Sequence, residues 1–368
     1  MKRIFFLAVC SLLVLAPQAF ASVWVTSQLT DDVLWDGAPD VSGSNIVWQH
    51  DDGNDYEIMK FDGSSTTALT DNNVDDTNVD VGGDFTTWLE DGSNIFVNDG
   101  TGNTLLKNAP LSIPTASQNN VFWTEDFYKL FHYDGTNINE PAVTPSTGPF
   151  ILSAYGDRAV WGAGDSEVHY YDGNSVTNIS NDPVDSDFSP YIYKDKVVWS
   201  KGYAPDSNDI FLYDLSAGAV SNVTNDAATF KAGPLLSDEA LVWREADGIH
   251  YLNLLTDQET VTALIDPLNM ELMGQFLFGY NMTGLWHEDL LVFDGQSVQA
   301  LVDGTSVGAI QGFDAADGIV AWDYAQQLGG QRDIFYASAL PANAVPEPAT
   351  MFLLGGGMAG AFLKRRRK

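Results

Sequence analysis

The sequence predicts an all-β protein, a β-propeller of eight four-stranded blades, from three observations. First, a tryptophan closes a short apolar run again and again: NIVW at Trp48, DFTTW at Trp88, NVFW at Trp123, RAVW at Trp161, KVVW at Trp199, ALVW at Trp243 and GIVAW at Trp322. Second, Trp48 and Trp322 stand 274 residues apart, which makes seven intervals of about 39 if one copy lies between Trp243 and Trp322. Third, the segments around each tryptophan are short, rich in β-branched and aromatic residues, and bounded by Gly, Asp and Asn, while no long stretch of the body has a helical period.

The elements follow in chain order. Lys2 and Arg3 precede an apolar run from Ile4 to Leu15, and Ala19-Phe20-Ala21 offers small residues where a signal peptidase reads. Residues 1–21 are therefore expected to be a signal peptide, a short N-terminal helix cleaved after Ala21. Cys10, the one cysteine of 368 residues, leaves with it. A disulfide, a thiolate nucleophile and a cysteine metal site are then excluded from the mature chain, and the body, 22–340, must be held by its core.

Each repeat has one internal order. A short strand such as APDVS (38–42) leads to the tryptophan strand. A polar loop of variable length follows, then a third strand ending at a tight turn: YEIMKFDG (56–63), NIFVNDG (94–100), KLFHYDG (129–135), VHYYDG (168–173), DIFLYDL (209–215), LLVFDG (290–295). A more polar outer strand comes last, as in TTALT (66–70), SVTNIS (175–180), AVSNVT (219–224) and SVQALV (297–302). The copy without its tryptophan is assigned to QFLFGYN around Phe278, with Trp286 as a second anchor; if that region is an insertion, the count is seven blades. The last repeat stops at its third strand, RDIFYAS (332–338). TSQLTDD (26–32) matches the outer strands TTALTDN, SVTNISND and AVSNVTND, so the N-terminal strand is expected to complete the final blade and remove an open sheet edge.

The pattern DGAPDVSGSNIVWQHDDGNDYEIMKFDGSSTTALT, with Pro39, Ile46-Val47-Trp48, Asp52-Gly53, Glu57-Ile58, Asp62-Gly63 and Leu69-Thr70, resembles the TolB-like propeller repeat. The likeness runs through most of 27–340 and is loosest at 111–143 and 266–304. It implies a binding scaffold, with some polysaccharide-degrading relatives.

The segment 341–368 is a linker and a tail. Val345-Pro346-Glu347-Pro348 precedes the apolar residues 351–363 and the basic run 364–368, which includes Arg365, Arg366 and Arg367. As a helix the apolar part would span about 20 Å, short of a hydrocarbon core of about 30 Å. Its cations would stay on the cytoplasmic side. These three parts in order resemble the PEP-CTERM sorting signal of Gram-negative bacteria. That resemblance implies export, transient membrane attachment through the tail, processing by an exosortase-type protease, and delivery to the outer surface or extracellular matrix.

Charge narrows the partners. Lys2, Arg3 and the five tail cations leave 10 of the 17 cations in residues 22–344, and all 50 acids but Glu347 lie there, a net of −39. Nucleic acid and anionic membrane surfaces are disfavoured. In a propeller, the loops between second and third strands share a face with the connections between blades, and here both are long and acidic. Asp51, Asp52, Asp55, Asp71, Asp75, Asp76, Asp182, Asp185 and Asp187, with Asp80 and with Tyr128, Tyr203 and Tyr324, are the candidate ligand or cation face. Calcium suits clustered carboxylates, although Asp and Asn also cap turns with their own side chains, and no DxDxDG loop is present.

Of His50, His132, His169, His250 and His287, the middle three fall at nearly equivalent places on third strands, which points to packing. Glu90, Glu125 and Glu245 each lie two residues after a repeat tryptophan; they could converge as paired carboxylates or simply finish a strand. No GxSxG, HExxH, P-loop or GxGxxG set in a βαβ context occurs. The expectation is a non-enzymatic module that binds a polysaccharide, a cation or an envelope protein. A carbohydrate-active hydrolase or lyase using funnel acids, and a structural spacer of the matrix, stay open.

Overall fold

The computed structural model describes residues 23–110, 112–126, 128–144, 147–182, 185–204, 207–226, 229–262, 270–282, 288–302, 309–325 and 331–340. Among them the strands form eight four-stranded antiparallel sheets, blades 1 to 7 at 36–68, 76–108, 115–139, 149–178, 186–222, 232–262 and 270–302. Blade 8 joins 313–340 to the N-terminal strand Val23–Gln28. Each blade runs outward in chain order. The innermost strands neighbour one another around a ring, and Phe313–Ala316 of blade 8 comes back beside Asp36–Ser42 of blade 1. The repeat without a tryptophan is a full blade: QFLFGYN falls in Phe276–Met282, the second strand of blade 7.

The chain divides into a unit of Thr26–Ser338, which is the propeller, and a unit of its two ends, Met1–Val25 with Ala339–Lys368. Of the ends, only 23–25 and 339–340 are described, as parts of the strands Val23–Gln28 and Arg332–Leu340. The expected signal helix with Ala19 and Ala21, the tail helix, Trp286 and His287 lie outside the described residues. Among the described residues no helix is long and apolar enough to cross a membrane.

The seven tryptophans all stand on second strands and are at most 2% exposed. In six blades the indole stacks on a ring of the adjacent third strand: Trp88 on Phe96, Trp123 on Phe131, Trp161 on His169, Trp199 on Phe211, Trp243 on His250 and Trp322 on Phe335, with centroids 5.3–6.0 Å apart. Blade 1 sets Met59 opposite Trp48. His169 and His250 therefore stand where other blades carry phenylalanine. His132 is one residue out of step with them. Phe131 holds the ring position of blade 3, and His132 stacks on Phe122 at 4.5 Å and bonds Asn120 at 2.8 Å. Trp161→Ala, which empties one such layer, is expected to cost about 3–5 kcal/mol, read from urea unfolding. A cost below about 1 kcal/mol would mean the tryptophan layer is not the core.

Turn chemistry fixes the two faces. Between third and outer strands, Asp62, Asp134, Asp172 and Asp294 each accept the backbone N–H groups two and three residues on, at 2.7–2.9 Å. The next residues, Gly63, Gly135, Gly173 and Gly295, take φ of +87 to +91°, open only to glycine at low cost. Those N–H bonds hold the Asp62, Asp134 and Asp172 carboxyls below the ordinary range. At the other end, a hydroxyl ties the outer strand to its neighbour in blades 1, 4 and 5: Thr70 accepts from Ile58 N (2.8 Å), Ser180 from Val168 N (2.9 Å) and Thr224 from Ile210 N (3.1 Å). Thr30 accepts from Ile334 N at 2.9 Å in blade 8. TSQLTDD thus does in blade 8 what TTALTDN does in blade 1.

Candidate ligand-binding faces

The loop face gathers the sequence-picked acids in two groups. At blades 1 and 2, Asp51 ends the strand Asn45–Asp51, Asp52 and Asp55 lie in the loop after it, and Asp71 and Asp75 lie in the connection to blade 2. Asp51 accepts from Gly53 N, Asp52 from Asn54 N and Asp55 N, and Asp75 from Tyr56 N. At blades 4 and 5, Asp182 and Asp185 flank the Lys201 ammonium at 2.6 and 3.6 Å. That group carries its own counter-charge.

Asp76 and Asp187 are not loop acids. They sit on innermost strands, 0% and 3% exposed. Asp187 accepts the Trp199 indole N–H at 2.9 Å, and Asp36 does the same for Trp48 at 2.8 Å. Burial pushes the Asp76 and Asp187 carboxyls up to about 6. A carboxylate twelve residues before the tryptophan is thus an internal partner of the repeat core.

The glutamates two residues after a tryptophan each bond within their own blade, and Glu125 also pairs with Lys107 of blade 2 at 3.4 Å. Glu125 accepts the Trp123 indole at 3.2 Å, Glu245 that of Trp243 at 2.8 Å, and Glu90 the Asn94 amide at 3.1 Å. His250 bonds Glu259 at 2.6 Å and Asp247 at 2.9 Å, so both ring nitrogens are engaged. Burial opposes its charge, but those two hydrogen bonds and the charge of Glu245 outweigh it, and its pKa lies above the ordinary imidazole value. The site there is an imidazole ring held between carboxylates. Tyr324 packs edge-on against Phe335, and Tyr128 lies beside the Lys129 ammonium, 5.8 Å from its ring centre.

The axial channel holds three acids that sequence reasoning missed, Asp40, Glu271 and Asp314, and one, Asp80, that it had placed on the loop face. Two residues before the end of each innermost strand, or of its turn, the ring reads Asp40, Asp80, Thr115, Ser153, Tyr191, Leu235, Glu271 and Asp314. Four carboxyls therefore fall on adjacent blades, 7, 8, 1 and 2. They stitch blade to blade: Val41 N donates to Asp314 at 2.8 Å and Val81 N to Asp40 at 2.7 Å. Ile192 N donates to the Ser153 hydroxyl in the same way. Asp40 also shares hydrogen bonds with Asp80 and Asp314. Each of the four residues keeps a part of its surface accessible, but protein surrounds the carboxyls. Burial and mutual repulsion push Asp80 up to about 7 and Glu271 up to about 8, and hold Asp40 and Asp314 well above the usual range. A signal was present: PDVSG, VDVGG, MELMG and FDAADG put an acid just before each first turn.

Beyond this layer, on the tight-turn face, the channel opens into a cavity of about 390 Å³. Tyr155, Tyr191, Tyr193 and Met273 line it, with Gln118, Asp317 and smaller residues of the other blades. Tyr155 and Tyr193 meet edge to face at 5.3 Å. Sequence reasoning placed function on the loop face and passed over this one, because its turns are short.

Residues 344–368 match the PEP-CTERM protein-sorting motif, which includes Val345, Pro346, Glu347, Pro348 and the arginines 365–367. No curated protein matches the chain as a whole. Among solved structures the chain is similar to the computationally designed Ika8 protein, at 16% identity over 84% of this chain and 98% of that one, with a TM-score of 0.55. It is also similar to BamB from Moraxella catarrhalis, at 13% identity over 86% and 100%, with a TM-score of 0.51. At such identities the likeness is one of fold. The motif implies an exported protein handled by exosortase-type machinery. The chain is an eight-bladed β-propeller that carries a PEP-CTERM protein-sorting motif at its C-terminus.

Proposed function

We propose that this protein is a non-enzymatic binding module, sorted to the envelope or extracellular matrix of a Gram-negative bacterium, where it holds a polysaccharide. The observation that carries the reading is the axial cavity. Its size suits a few sugar units, and tyrosine rings offer flat apolar faces with a hydroxyl at the edge, the mixture a sugar ring needs. The acids and histidines that sequence offered for reaction with a sugar have other work. Glu125 and Glu245 satisfy buried indoles, His169 and His250 fill the core layer, and Asp187 caps a tryptophan. The acidic loop face remains open to a cation or to an envelope protein with a basic surface.

The test is binding of the purified protein to extracellular polysaccharide fractions, with released reducing ends measured in the same tubes. Saturable binding without release is expected, and Tyr193→Ala should weaken it about tenfold, the scale of one lost aromatic contact. Release of reducing ends that Asp40→Asn or Glu271→Gln abolishes would instead establish the hydrolase or lyase reading. Absence of binding to any fraction would leave the spacer role.

A further inference from the structure

We propose that Asp52, Asp55 and Glu57 form a calcium site at the loop-face end of blade 1. Each offers a carboxylate oxygen, and the three lie within 4.8 Å of one another. One ion can reach all three, because two ligands of a calcium, each at about 2.4 Å, stand at most about 4.8 Å apart. All three donors are carboxylates, with no imidazole or thiolate, which selects a hard cation. Magnesium wants a tighter octahedron and keeps its waters, whereas calcium accepts an irregular set completed by water.

The second observation is independent of the clustering. Glu57 is 3% exposed, and its Oε2 is buried with no hydrogen-bond partner; Asp55 Oδ2 is likewise buried and unpartnered. A buried carboxylate oxygen is normally satisfied. The equivalent positions of other blades show how. In blade 4, Glu167 accepts from the Ser180 hydroxyl and Asp182 N. In blade 5, both oxygens of Asp209 accept, from Asn222, Thr224 and Asp226 N. In blade 1, the Thr70 hydroxyl turns to Asp76, and only Asn72 N reaches Glu57, on Oε1 at 2.6 Å.

The remaining oxygens already hold the loop in place. Asp52 Oδ1 takes Asn54 N and Asp55 N, and Asp55 Oδ1 takes the Asn54 amide at 2.6 Å. Among the described residues no lysine or arginine pairs with any of the three, whereas Lys201 serves the acids of blades 4 and 5. The other groups that bring a histidine among carboxylates are closed by protons. His50 Nδ1 and Asp36 share a hydrogen bond at 2.9 Å, and both nitrogens of His250 are engaged. This site does not depend on what the axial cavity binds.

Terbium luminescence on the full-length protein tests it. Tyr56 lies between two of the ligands and packs edge-on against Trp35 at 5.4 Å, so excitation of these rings should sensitise a bound ion. The expected result is saturable emission that calcium displaces. Asp55→Asn and Glu57→Gln should each weaken calcium affinity at least tenfold, while Asp182→Asn leaves it unchanged. Glu57→Gln keeps the acceptor for Asn72 N, and Asp55→Asn alters only the loop, so circular dichroism should match the parent. Failure to saturate at millimolar calcium would overturn the proposal. So would equal losses in Asp182→Asn, which would mean a diffuse acidic face, or a loss in His50→Ala with none in Glu57→Gln, which would move the ion to Asp32, Asp36 and His50.

Discussion

A chain lacking residues 22–32 is expected to melt at least roughly 8 °C lower than the parent and to associate. The closing strand Val23–Gln28 is the outer strand of blade 8, and without it Arg332–Leu340 becomes an open edge with unpaired backbone groups. Two further ties go with it. Leu29 packs on the cluster of Val41, Ile46, Trp48, Ala321 and Ile334, and its N–H donates to Ile334 O at 2.7 Å. Thr30 accepts from Ile334 N. That cluster joins blade 1 to blade 8, so its loss loosens the ring at its seam. Burial of a leucine contributes about 2 kcal/mol, and the strand pairing and seam bring the loss to about 5 kcal/mol, a large share of a typical total. For a body of this size that corresponds to roughly 8 °C. Adding the peptide VWVTSQLTDD in trans should restore most of the midpoint. An unchanged midpoint on deletion would mean the seam is held by blades 1 and 8 without the strand.

The same segment shows why the fold was legible from sequence. A propeller repeats one local solution, so each blade is an independent reading of the same pattern. LTDD at 29–32 could be aligned with LTDN at 69–72 because both place a hydroxyl under the start of a third strand. Blade 7 was the hard case, since Gly279 stands in line with the tryptophans, and Phe278, the apparent anchor, falls one residue earlier, with Val47 and Val160. The sorting motif was legible for another reason: it is read by machinery as a linear string, and needs no fold.

The site was less legible because it depends on relations between repeats. Asp76 and Asp187 look like loop acids in the string, yet they are buried beside the tryptophan layer. Asp182 and Asp185 look like a cation site until Lys201, sixteen residues beyond Asp185, is placed between them. Asp40, Asp80, Glu271 and Asp314 are far apart in sequence and become one layer only when the ring closes. Linear clustering found the charged loops; the channel required the topology.

That layer carries the second large effect, a loss of stability as pH rises from 5 to 8. In the unfolded chain these carboxyls titrate near 4. In the native ring Asp80 titrates at about 7 and Glu271 at about 8, with Asp40 and Asp314 higher than usual as well. Between about pH 4 and pH 8 the folded protein therefore binds more protons than the unfolded chain, and stability must fall as pH rises. No cation offsets the balance at Glu271 or Asp80. Allowing for the residues' remaining exposure and for the sharing of protons among the four, the loss is on the order of 3 kcal/mol, or roughly 5 °C. Other groups push the same way, among them Asp36, Asp323 and Asp333, whose carboxyls burial also raises. Asp76 and Asp187, at about 6, lose their protons in this window, and His250, whose pKa is raised, gives up its stabilising charge as pH climbs. The layer is separated from them by substitution. Asp80→Asn with Glu271→Gln should flatten the pH profile by about half and raise the midpoint at pH 8, whereas His250→Gln should lower the midpoint at pH 5 and leave most of the slope. A double variant as pH-sensitive as the parent would place the effect outside the channel. The surface acids cannot imitate the result, because exposed carboxylates are already ionised at pH 5. A propeller that closes its axis with shared protons is then a protein whose seam tightens in acid, and the layer that binds blade to blade is the one that reads the pH.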